Sequence, residues 1–137
     1  MLYNVIWSLI AHLLLASIAL MVFIYSEIKS AAFCLVFFII LSAAYFFSGK
    51  LVKLKKLGKW KRLLSVSAPS LIALLLLAAI TIEPGPMGFN FLYYTFFNPY
   101  TWLTALTLQI DPGHQVFIWT WPIPSLLIWL GLIVQKK

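Results

Sequence analysis

Four long apolar stretches follow one another along the chain, each longer or more continuous than a soluble helix or strand needs, with short polar interruptions between them. The first, Leu2 to Tyr25, is 24 residues without a charge, about 36 Å of helix against a hydrocarbon layer of about 30 Å. Its weakly polar and small residues Asn4, Ser8, His12 and Ala16 recur every four positions, with Ala19 beside them. That spacing predicts one helical face, turned toward other helices, where small groups permit close backbone approach and shared hydrogen bonds.

A short polar turn, Ser26 to Ser30, then leads into a second span over 31–48, Phe-rich and carrying a small patch at Ser42-Ala43-Ala44. An amphiphilic extension is expected through Leu57, with Gly58 as a left-handed stop. The third span, 63–82, contains Pro69 among Ser65, Ser67 and Ser70. Proline removes one backbone bond and frees the Ser65 carbonyl, so a kink is expected there, covered by serine hydroxyls or by neighbouring helices. Glu83-Pro84-Gly85-Pro86 ends it.

The pattern changes in the long connection 83–115. Eight of the fourteen residues from Phe89 to Trp102 are aromatic, the composition of an interfacial belt. Asn98-Pro99 fits the start of a helix, and the reading is an aromatic hairpin or half-buried short helix over Pro99 to Ile110. A fourth span, 116–134, carries Pro122 and Pro124 near its start. Were its helix to begin only at Pro124, the 11 residues to Val134 would give about 17 Å, too little to cross, so a kinked helix or a shielded extended lead-in is expected.

Charge orients this layout. Of ten Lys and Arg residues, seven lie in the loop 50–62, namely Lys50, Lys53, Lys55, Lys56, Lys59, Lys61 and Arg62. Basic loops are retained on the cytoplasmic side, so both termini are expected there, with Glu27, Glu83 and Asp111 outside. A full crossing by the aromatic section would invert this sorting at the C-terminus. With 64% hydrophobic and 9% charged residues, the expected fold is an all-α integral membrane protein, one domain over 1–137, with four transmembrane helices. The first span has no basic residue before Leu9 and outlasts a signal-peptide core, so it is expected to be retained. The formal net charge of +7 is concentrated where anionic lipid headgroups are its natural counter-ions, and nucleic acid is not an expected partner.

Chemistry is sparse. Cys34 is the single cysteine and can form no intramolecular disulfide. His12 lies near mid-membrane with no charged residue inside any span, which favours a neutral imidazole bonded to a serine of span two or three over a proton relay. Together with Ser42, Ser67 and Ser70 it is the candidate intramembrane polar site. Glu83, Asp111 and His114 lack the spacing of a metal or acid–base site, so no metal, cofactor or catalytic residue is assigned. Phe91, Tyr94, Phe97, Tyr100 and Trp102 form the candidate outer contact surface.

The layout resembles the many small four-span proteins of bacterial cytoplasmic membranes. It lacks the Glu in the first span on which small multidrug exporters rely. The expected role is non-enzymatic: an accessory, regulatory or immunity-type protein acting by contact with a larger membrane protein or a second copy of itself. The alternative is a small oligomeric transporter or channel with a weakly polar path near His12.

Overall fold

In the computed structural model, residues 2–27, 30–51, 58–82, 99–108 and 119–134 are described. Among these, every regular element is helical: α1 Leu2–Tyr25, α2 Ala31–Leu51, α3 Lys59–Val66, α4 Ala68–Ile82, α5 Pro99–Leu108 and α6 Ile123–Val134. α1 and α2 are each long and apolar enough to cross a bilayer, and a third crossing exists if the bent pair α3 and α4 is counted as one span. The chain thus has the helices of a membrane protein.

α1 buries Asn4, Ser8, Ala11, His12, Ala16 and Ala19, the face its four-residue spacing predicts. Its opposite side, including Ile10, Leu14, Ile18 and Met21, is exposed as a lipid-facing surface would be. α2 runs antiparallel to it: His12 meets Tyr45, and Trp7 meets the Ser48 carbonyl one turn further along. α2 buries Cys34, Leu41, Tyr45 and Gly49, again a single stripe at helical spacing.

The most extensive helix contact joins α2 to α6, and two glycines make it possible. A Cβ added to Gly131 would run into the Phe46 carbonyl and lie 3.3 Å from the Gly49 Cα; one added to Gly49 would strike the Ile128 carbonyl and lie 3.0 Å from the Leu132 nitrogen. Without side chains the two backbones meet directly, the close approach by which helices associate where lipid supplies no hydrophobic drive.

The third apolar stretch differs from expectation. Helix begins at Lys59 inside the basic segment, and instead of one kinked helix from Leu63 there are two, broken at Ser67 and bent by 61°. Lysine and arginine are good helix formers when solvated, so basic charge does not prevent the early start. Gly58 is not a left-handed stop: with φ −60° and ψ 159° it precedes the first turn of α3, and its carbonyl accepts the Arg62 N–H at 3.0 Å. At the break, hydroxyls do cover exposed backbone. Ser65 donates to the Arg62 carbonyl at 2.8 Å and Ser67 to the Leu64 carbonyl at 2.9 Å, while Leu71 N–H restarts the ladder on the Ser67 carbonyl at 2.9 Å. α2 continues to Leu51, past the expected Ser48; its extension to Leu57 lies outside the described residues.

α5 has 10 residues, about 15 Å, and does not cross by itself. It is the half-buried short helix expected from Pro99 onward, with Pro99, Tyr100, Thr101, Leu103 and Ala105 buried and Leu108 exposed. Tyr100 packs against Phe38 and Tyr45, midway along α2, and Trp102 reaches Phe37 and Phe23 nearer the Tyr25 end of the bundle. The helix therefore begins beside the middle of α2 and runs toward the Tyr25 end of α1. α6 begins at Ile123 after a turn over 119–122 and its 12 residues cover about 18 Å, the short-helix case foreseen from Pro124.

Candidate functional site

The polar interior is built by α1, α2 and α5 around His12. His12 Nδ1 and the Tyr45 hydroxyl are 2.9 Å apart, with the phenol donating or accepting according to the imidazole tautomer. The Tyr45 and Tyr100 rings lie 5.9 Å apart between centroids, and the Tyr100 hydroxyl is 3.3 Å from Ser42 Oγ. His12, Tyr45 and Tyr100 are fully buried. The four side chains thus form one line from α1 through α2 to α5 and back to α2.

Local sequence explains why each is there. His12 falls on the small-residue face of α1, where Ala16 and Ala11 leave room for the imidazole. Tyr45 lies four residues after Leu41 and four before Gly49 on the buried stripe of α2, so its ring enters the core while its hydroxyl finds a polar partner, as buried tyrosines do. Tyr100 follows Pro99, whose fixed φ suits a first helical turn.

Three smaller polar contacts surround this line. Asn4 Nδ2 donates to Ser65 Oγ at 3.3 Å, joining α1 to α3. Thr101 and Thr120 hydroxyls meet at 3.1 Å, tying α5 to the turn before α6. Ser70 donates its hydroxyl to the Trp121 carbonyl at 3.0 Å and its N–H to Ser125 Oγ at 3.3 Å, joining α4 both to that turn and to the first turn of α6. Interhelical hydrogen bonds of this kind in membranes average about 0.6 kcal/mol each. They hold register more than they add stability.

Of the four residues proposed from sequence, the structure brings His12 and Ser42 into one line, linked through two tyrosines. Ser67 is not part of it; its hydroxyl is used locally at the helix break, and Ser70 belongs to the α4–α6 contact. His12 Nδ1 pairs with a tyrosine, whose long phenol reaches across the α1–α2 gap. Tyr45 and Tyr100 were missed as polar-site residues. The signal for Tyr45 was a single tyrosine directly after the Ser42-Ala43-Ala44 patch; Tyr100 was hidden in an aromatic run.

For the aromatic contact surface, Tyr100 is interior and satisfied by Ser42, and Trp102 is half-buried against Phe23 at 4.5 Å. Phe91, Tyr94 and Phe97 lie outside the described residues, as do Glu83, Asp111 and His114. Among the basic residues, Lys50 and Lys61 are exposed and Arg62 is half-buried. Lys50 Nζ sits 5.1 Å and 5.0 Å from the Phe46 and Phe47 ring centroids, a cation held over aromatic faces. Lys59 opens α3, while Lys53, Lys55 and Lys56 lie outside the described residues.

Chemically, the central line is an imidazole, two phenols and an alcohol, each able to donate or accept a hydrogen bond. The one carboxylate among the described residues, Glu27, is exposed beyond the end of α1, and no three His, Cys, Asp or Glu side chains among those residues gather as metal ligands. Cys34 is a buried free thiol on the α2 stripe. Comparison with family models, with curated proteins and with solved structures returns no match.

Proposed function

We propose that the chain is a non-enzymatic protein of the cytoplasmic membrane, crossing four times with both termini inside, and acting by contact with a larger membrane protein as an accessory, regulatory or immunity-type subunit. The observation that carries this reading is that four pairs of interior polar side chains bond to one another across helices, although the buried indole N–H groups of Trp102 and Trp129 do not share in this pairing. His12 and Tyr45, Ser42 and Tyr100, Asn4 and Ser65, Thr101 and Thr120 are paired across helices, an arrangement that supports a fixed scaffold more than a path for solutes. Paired neutral groups stabilise one arrangement of helices and present apolar faces outward.

Four crossings follow if the bent α3–α4 pair traverses once and α6 is completed by the 119–122 turn, whose Trp121 carbonyl is bonded by Ser70. The clustering of basic charge in 50–62 and at Lys136 and Lys137 supports that even count. A reporter active only in the cytoplasm and fused after Lys137 is expected to be active; activity only of an exterior reporter at the same place removes the four-span topology.

Purification from native membrane is expected to return a larger membrane protein in stoichiometric amount, and proteoliposomes of the pure protein should leak ions and small solutes no faster than empty vesicles. The alternative, a small oligomeric transporter or channel, draws on the hydrogen-bonded pairs His12–Tyr45 and Tyr100–Ser42, which meet through contact of the two tyrosine rings. Flux above the empty-vesicle rate that is lost in His12→Asn would establish it in place of the contact reading.

A further inference from the structure

Among the described helices, α3 alone has a strongly polar composition folded onto one apolar flank. Stepping 100° per residue, the side toward the bundle carries Ser65 and Val66, both buried, with Arg62 beside them. Ser65 is fixed there by Asn4 of α1. The far side carries Trp60 and Leu64, one helical turn apart, and these are 79% and 56% exposed. Lys61 is exposed next to them, and Lys59 precedes Trp60 in sequence.

The 61° bend at Ser67 turns α3 away from the axis of α4. If α4 stands near the bilayer normal, from which spanning helices tilt by about 20° on average, the 61° bend leans α3 toward the membrane plane. A tryptophan and a leucine directed away from the protein, edged by lysine, match a helix resting at the boundary between headgroups and acyl chains. The ring and the leucine enter the apolar side while the lysine stem reaches back to the phosphates.

Charge selects the occupant. From Lys50 to Arg62 the sequence carries seven basic residues, and no Asp or Glu occurs anywhere from residue 30 to residue 82. Zwitterionic headgroups offer this segment no net attraction, whereas each anionic headgroup supplies about 1 kcal/mol per basic side chain near the surface.

We infer that α3 is an in-plane membrane-surface helix that binds anionic phospholipid headgroups, with Trp60 and Leu64 as its apolar anchor and Lys61 with the adjoining basic residues as its phosphate contacts. This is independent of which protein the bundle serves. The lipid is part of the folded assembly, and the α3–α4 bend is the feature that presents the site.

The test uses the full chain reconstituted in vesicles containing phosphatidylcholine and phosphatidylglycerol in fixed proportion, with the bromine-labelled acyl chains carried either by the one lipid or by the other at equal bromine content. The Trp60 signal is the difference in fluorescence between the wild type and Trp60→Phe, which replaces an exposed indole by a phenyl ring and leaves the core intact. Quenching of that signal is expected to be several-fold stronger with brominated phosphatidylglycerol, with about five-fold corresponding to the attraction of one basic side chain. Raising the salt concentration on the unaltered protein should reduce the preference toward unity, and Lys61→Gln should lower it at low salt. Equal quenching by the two lipids at low salt would overturn the anionic assignment. Absence of quenching by both would place Trp60 in water or beneath protein and overturn the surface helix itself.

Discussion

Gly131→Leu is expected to prevent the α2–α6 pair from forming and to leave a protein that no longer elutes as a single species in detergent. The Cβ alone would run into the Phe46 carbonyl and press on the Gly49 Cα. Both are backbone, so neither can rotate aside as a flexible side chain does. Inserting extra carbon into a packed core ordinarily costs about 1–3 kcal/mol; here the helices must separate along their most extensive contact, so the loss should exceed that range. Gly49→Leu meets the Ile128 carbonyl from the other side and should behave alike. Gly58→Ala supplies the control, because nothing lies within 4 Å of its Cβ position and its φ of −60° suits any residue. Its effect should stay under about 1 kcal/mol. Thermal denaturation of the three variants in the same detergent checks the ranking, and a Gly131→Leu protein that melts with the wild type would mean that α2 and α6 do not touch as described.

The stripe of α1 was legible in sequence because a four-residue recurrence has one geometric meaning on a helix: Asn4, Ser8, His12 and Ala16 share a side whatever they contact. The break near Pro69 was legible in place but not in size, since a missing N–H weakens the ladder while packing on α1 and α6 decides the bend. Gly49 and Gly131 stood in plain view as single glycines in apolar runs. Their pairing depends on two helices far apart in sequence arriving at the same point, which no local pattern states. Tyr100 was misplaced for a different reason. Aromatic residues serve both the headgroup belt and the protein core, so a run rich in them does not distinguish a helix lying on the bundle from one enclosed by it. The Thr101–Thr120 and Ser42–Tyr100 contacts settle that choice only once the helices are assembled.

Tyr100→Ala is expected to detach α5 from α2, and its consequences separate ring packing from hydrogen bonding. The side chain is fully buried, with Phe38 5.0 Å and Tyr45 5.9 Å away between ring centroids. Truncating a buried aromatic to alanine costs about 3–5 kcal/mol through lost contacts and the cavity left behind. Tyr100→Phe keeps the ring and removes only the hydroxyl facing Ser42, a loss of about 0.6 kcal/mol and at most about 1.7 kcal/mol in a membrane interior. Cys34 offers a direct readout, because it is the single cysteine, is buried, and belongs to the same core cluster as Tyr100 and Leu103. Opening of α5, which shares that cluster, is expected to expose the thiol to a small maleimide. If α5 loses about 3 kcal/mol of attachment, labelling governed by that opening should accelerate by about two orders of magnitude, since each 1.4 kcal/mol is about tenfold. Tyr100→Phe should change the rate by about threefold, and by no more than about twentyfold at the upper limit of the hydroxyl's contribution. Equal labelling of the alanine variant and the wild type would show that Tyr100 does not hold α5 over the α2 stripe, and the line from His12 to Ser42 would lose its third member.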